Sequence, residues 1–134
     1  MATEGGWFRD EACTASTAGG TLAQYLIVRS TGQNTAALCV GSSGGASGPR
    51  GVLQDDPTSG QGCTVRRLGF SKITASASIT IGDKITCSTG GKALTATATG
   101  ELVIGYANTA ATAADQIIEV DLVGPFFYTA GATA

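Results

Sequence analysis

The 134-residue chain contains no histidine. That removes the Ser-His and Cys-His pairs that most often activate a hydroxyl or thiol nucleophile at neutral pH. Charge is scarce as well: Asp, Glu, Lys and Arg make up 13% of the residues, about half the roughly 25% usual in soluble domains. The net charge is only -2, the five arginines and three lysines are scattered, and Arg66-Arg67 is the one basic pair. No nucleic-acid footprint is indicated. Long apolar runs are missing, so nothing approaches the ~20 residues a membrane-spanning helix needs. The first twenty residues carry Glu4, Asp10 and Glu11, where a secretion signal has a basic start and an apolar middle. The expectation is a chain made and kept in a cytoplasm, with no membrane partner and no nucleic-acid partner.

The residues that could still carry chemistry have plainer readings. Cys13, Cys39, Cys63 and Cys87 lie 26, 24 and 24 residues apart, without a C-x-x-C pair. A zinc site would need four thiolates converging from separate strands. Cys39 in "TAALCVG" and Cys87 in "KITCSTG" sit in apolar patterns and read as small buried hydrophobes. Disulfides can follow release from the cell, but spacing alone leaves their connectivity open. Asp55-Asp56 is followed by Pro57, the composition of a turn; on a strand, adjacent carboxylates would point to opposite faces. "GSSGGASGPRG" (41–51) lacks the Gly-Lys-Ser/Thr ending and following helix of a phosphate loop. No catalytic, metal or cofactor residue is assigned.

What is present is a succession of short β-patterned segments. "TLAQYLIVRS" (21–30) and "TAALCVG" (35–41) flank a Gly-Gln-Asn turn and read as a hairpin. A glycine-rich loop follows, then "GVL", "CTVRRLGFSKITA" (63–75) as one or two strands, "SITIGDKITCSTGG", "KALTATA" (92–98), "ELVIGYA" (101–107) and "QIIEVDLVG" (116–124). The alanines of "NTAATAADQ" (108–116) allow at most a turn or two of helix. Eight or nine strands with turn signals every ten or so residues predict an all-β fold, a small barrel or sandwich. The domain spans 21–124, with an extended N-terminal arm at 1–20 and a C-terminal tail at 125–134. The predicted core is Ile79, Ile81, Ile85, Leu94, Ile104, Ile117, Ile118 and Val120, with one of the adjacent pair Ile117-Ile118 free to leave it.

In "SITIGDKITC" (78–87) a hairpin turning on Gly82-Asp83 would place Ile79, Ile81, Ile85 and Cys87 on one face. The other face would hold Thr80, Lys84, Thr86 and Ser88. A wet face normally carries more charge. Such a bland surface fits flat protein contacts, where small side chains lose little entropy and no charge is desolvated. The competing reading is a carbohydrate-binding or adhesive β-sandwich for host-surface attachment. Sugar platforms usually need exposed aromatics, and the lone tryptophan, Trp7, lies outside any predicted strand.

The tract from Gly51 to Gly124 resembles the capsid cement, or head decoration, proteins of tailed bacteriophages. The likeness rests on "GVL" with its acidic turn, "VRRLG", "ITIGDKI", "GGKA", "VIGYA" and the closing "IIEVDL". It implies a structural virion protein without catalysis. Such a protein is made in the host cytoplasm, binds the major capsid protein on the outer capsid surface, and stiffens the head against packaged DNA. Self-association, with a homotrimer favoured over a dimer, is expected from the same resemblance and the poorly charged faces. Five of the eight aromatics fall near the ends. Trp7, Phe8, Phe126, Phe127 and Tyr128 are therefore the candidate capsid or subunit interface residues, as aromatic anchors commonly are.

Overall fold

The structure, a computed structural model, describes residues 9–17, 20–41 and 48–129. Nine strands are formed among these residues: β1 (Arg9–Ala15), β2 (Ile27–Gly32), β3 (Thr35–Leu38), β4 (Gly51–Leu53), β5 (Gly62–Thr74), β6 (Lys84–Cys87), β7 (Ala93–Thr95), β8 (Leu102–Ala107) and β9 (Ile117–Phe127). The all-β expectation holds. The strand order is β1-β3-β2-β4-β5-β9-β8-β6-β7, with a further pairing of β1 to β5. That extra pairing closes β1, β3, β2, β4 and the first half of β5 into a five-stranded barrel. The contact of β1 with β3 is parallel and the other four are antiparallel.

The segment 63–75 is one long strand serving two sheets. Up to Leu68, β5 pairs with β1 and β4 in the barrel; from Gly69 to Thr74 it pairs with β9, which leads on to β8, β6 and β7. Gly69 stands at the changeover with φ +99°, a conformation that strains any residue with a Cβ.

Two cores follow from strand alternation. Cys13, Ala15, Val28, Ala36, Leu38, Leu53, Cys63 and Val65 pack with Leu22 inside the barrel. Their alternate neighbours Ile27 and Val52 face the other way, and join Ile73, Ile85, Ile104, Ile118, Val120 and Leu122 in a second core between the barrel wall and the outer sheet. A wall strand buried on both faces reads as a continuous apolar run with no polar alternation. "LIV" at 26–28 and "GVL" at 51–53 are such runs.

The bland face of 84–88 has the same origin. Thr86 is fully buried, its hydroxyl donating to the Leu102 carbonyl at 2.7 Å. The expected hairpin of 78–81 with β6 does not form, because β7 and β8 occupy both edges of β6. Ile79 is buried and bridges to Ala111 instead. Ile81 was expected in the core, yet it is 66% exposed in a turn where the Asp83 amide donates to Thr80 O and the Thr80 amide to Asp83 Oδ2. Leu94 is only half-buried. Of the adjacent pair, Ile118 enters the core and Ile117 is exposed. Residues 108–116 form turns, with Asp115 at φ +69°, rather than helix.

The ends also differ from the expected boundaries. Residues 9–15, read as part of an arm, supply the strand that closes the barrel, and β9 runs past 124 to Phe127. Two ion pairs secure the closing strand: Arg66 with Asp10, directly opposite in register, at 2.9 Å, and Arg67 with Glu11 at 2.7 Å. Beside them the Cys13 thiol donates to Glu11 Oε1 at 3.6 Å. Burial, then the Glu11 charge, pushes this thiol up to about 11 despite the opposing Arg67. Burial, with Asp55, raises Cys63 too.

Three outcomes are expected. Ile85→Ala should cost about 2–5 kcal/mol in urea denaturation, while Ile81→Ala stays within about 0.5 kcal/mol. Equal costs would place Ile81 in the core. Gly105→Ala should destabilise by about 1–3 kcal/mol or more, because its Cβ would run into the Asp121 carbonyl oxygen of the neighbouring strand; an unchanged denaturation midpoint would refute that close approach. Thiols raised in the folded state stabilise the fold below their unfolded pKa, near 8.5. Under reducing conditions the melting temperature should therefore fall as pH rises from about 9 toward 11, and the decline should shrink in Cys13→Ala.

Candidate interface surface

Outside both cores, β5 presents Arg66, Leu68, Phe70 and Lys72 at successive even positions, with Arg67 beside Leu68. Leu68 and Phe70 are the exposed apolar pair among them, Phe70 with 49% of its surface free. Register carries this row across the outer sheet. Phe70 stands opposite Asp121 on β9, Asp121 opposite Tyr106 on β8, and Tyr106 opposite Lys84 on β6. Lys72 and Glu119 form the parallel row beside it. The ring of Phe126 lies 6.1 Å from that of Tyr106, and Lys84 Nζ sits 5.9 Å from the centre of the Tyr128 ring. Rings at such spacing attract weakly, as does an ammonium over a ring face.

Two hollows flank the Leu68–Phe70 ridge. One, of about 250 Å³, is lined by Tyr25, Gln54, Arg66, Phe70, Ser71, Lys72 and Glu119. Its floor is set by Gln54 Nε2, which donates to Ser71 Oγ at 2.9 Å. The other, of about 170 Å³, lies among Arg9, Arg50, Arg67, Leu68 and Pro125. Apolar ridges between shallow, mixed polar hollows can bury side chains of a partner and orient them.

The acidic groups have structural work nearby. Asp55 accepts the Thr64 amide, Asp56 accepts the Gln24 amide at 2.6 Å, and Glu101 accepts the amides of Thr97 and Ala98. A turn was expected at Asp55-Asp56; Asp55 is a bend, both carboxylates are tied to distant backbone amides, and the hydrogen-bonded turn comes later, where the Gln61 amide donates to the Thr58 carbonyl at 3.0 Å. Among the described residues no group of three or more Cys, Asp or Glu is placed to hold a metal ion.

The five aromatics singled out from sequence divide. Trp7 and Phe8 lie outside the described residues. Phe126 and Phe127 belong to β9, opposite Val103 and Leu102, and the Tyr128 amide donates to the Glu101 carbonyl at 2.8 Å. The tail backbone is thus stitched to its own sheet through residue 128. Phe126 and Tyr128 are half-buried there, while Phe127 remains 62% exposed. Leu68, Phe70 and Tyr106 were not singled out. The alternation in "VRRLGFSK" held the signal for the first two, because residues alternate with buried Val65, Ser71 and Ile73 on one strand. Tyr106 is the lone large side chain between Gly105 and Ala107, but nothing in the sequence says that its partner strand leaves it open.

The chain matches the family model of the phage cement protein over residues 9–122, from the start of the closing strand to the middle of β9. No curated protein matches. Among solved structures the fold is similar to the crystal structure of the head fiber gp8.5 N base in bacteriophage phi29, with 19% identity, a TM-score of 0.63, and coverage of 87% of this chain and 94% of that one. The family match spans β1 to β9, residues 9–122 of the 134: this chain belongs to the phage cement protein family, structural proteins of the phage capsid.

Proposed function

We propose that this protein decorates the outer surface of an assembled phage head, binds the major capsid protein there, and stabilises the head against the pressure of packaged DNA. The observation that carries the reading is the family match over 9–122, which includes the strands that build the exposed ridge. Leu68, Phe70 and Phe127 supply apolar contact area, and Tyr106, Phe126 and Tyr128 supply rigid rings around Lys84. Trp7 and Phe8 extend the anchoring set from the other end of the chain. The similar phi29 protein is the base of a head fiber, which is consistent with head attachment by this fold.

The mechanism is burial without a reaction step. A copy seated over a seam between capsid subunits contributes contact free energy to the assembled shell and none to separated subunits. The shell therefore opens at higher temperature, as for any ligand of the native state alone. Three chains around a symmetry axis would engage together, so that weak individual contacts suffice.

Mixing the purified protein with undecorated heads and imaging them should reveal added density on the outer surface, and decorated heads should open at higher temperature than bare ones. Heads that remain bare would reject the reading. Paired substitution Leu68→Ala with Phe70→Ala should weaken head binding by about tenfold or more, the scale of an interface hot spot, with only a small change in the melting temperature of the free protein. Removing residues 1–8 should also weaken binding and spare folding, whereas removal through residue 15 should unfold the protein by opening the barrel. Sedimentation is expected to give three times the 13.3 kDa chain mass; a purely monomeric species at micromolar concentration would count against a preformed trimer.

A further inference from the structure

The four cysteines are all buried thiols, and they fall into two pairs. Cys13 on β1 and Cys63 on β5 are directly opposite in the antiparallel register and both point into the barrel core. The Ala15 amide bonds the Gln61 carbonyl two residues along, which makes 13 and 63 a hydrogen-bonded pair. Opposed Cα atoms in such a pair lie about 5.5 Å apart, inside the roughly 4.4–6.8 Å range that disulfides span.

Cys39 and Cys87 occupy the other core. The Cys39 amide donates to the Ile27 carbonyl at 3.1 Å, and the Ile27 amide donates to the carbonyl of Gly91 in the turn after β6, at 2.6 Å. This brings the end of β3 against the end of β6. The Cys39 thiol donates to the Gly41 carbonyl at 3.1 Å and the Cys87 thiol to the Ser88 carbonyl at 2.9 Å, and the two thiols lie near enough for each to shift the titration of the other. A crossed bond, such as Cys13 with Cys39, would require a thiol to pass through the barrel wall.

We infer that Cys13–Cys63 and Cys39–Cys87 are two latent disulfide sites, which a low-molecular-weight disulfide such as oxidised glutathione converts to covalent staples once the protein leaves a reducing compartment. In each pair one thiolate attacks a sulfur of the small disulfide and expels one small thiol, leaving a mixed disulfide. The partner thiolate then attacks the protein sulfur of that adduct and expels the second small thiol. One protein S–S bond forms, one small-molecule S–S bond breaks, and the two thiol protons end on the two released thiols. Cys13–Cys63 fastens the seam where β1 closes the barrel. Cys39–Cys87 fastens the barrel to the outer sheet. Both bonds restrict the unfolded chain over long loops.

The test uses the full chain, purified under reductant and moved into oxidised glutathione at mildly alkaline pH. Its intact mass should fall by four hydrogens, and its melting temperature should rise and return on reduction. Trypsin, cutting after Arg9, Arg29, Arg50, Arg66, Lys84 and Lys92, leaves each cysteine on a separate peptide, so non-reducing digestion should yield the 13–63 and 39–87 linked pairs. Cys63→Ala should lose only the first bond and Cys87→Ala only the second. Crossed linkages, stable glutathione adducts, or four thiols that persist until the protein is unfolded would overturn the inference. Because folding and chemistry are read without phage heads, failure of head binding leaves this result standing on its own.

Discussion

The rest of the fold depends on β5 being held by different partners along its two halves. Its first half has β1 on one side and β4 on the other, which completes a ring; its second half borders β9 and starts the outer sheet. A closed ring has no unpaired edge. The side chains at its odd positions, Cys63 and Val65 before Gly69 and Ile73 after it, feed one core and then the other. Loss of pairing in either half would expose an edge and a core together.

This sharing accounts for the composition. A small domain with two cores must bury both faces of the strands between them, and those strands cannot carry charge. Ile27, Val28, Val52 and Leu53 are all essentially inaccessible, and Thr86 enters the interior with its hydroxyl satisfied by a carbonyl. Low charge is therefore partly an internal consequence of the fold. Outside lie the β5 ridge and its aromatic neighbours, together with the separate exposed side chains of Ile81 and Ile117.

The class of fold, the positions of most strands and the β2–β3 hairpin were legible because alternation and turn residues are local signals. Barrel closure was not. Residues 9–15 look like a polar leader, since Arg9, Asp10 and Glu11 have ion-pair and register partners more than fifty residues away. Ile81 misled because strict alternation in "SITIG" cannot reveal that both edges of β6 are already occupied. On the candidate surface, the tail aromatics could be named from composition, but the ridge of Leu68 and Phe70 required knowing which face of β5 each core consumes. The pairing of the cysteines was equally hidden, as equal spacing does not say which strands meet.

The claim that the β5 face seats on the head can be tested by hydrogen–deuterium exchange on the free protein and on the same protein bound to phage heads. The account predicts slowed exchange on binding in residues 66–72 and 125–128, with the barrel seam of β1 and β5 unchanged below residue 65. Protection confined to other segments, such as the turns at 80–83 and 108–116, with none in 66–72, would contradict it.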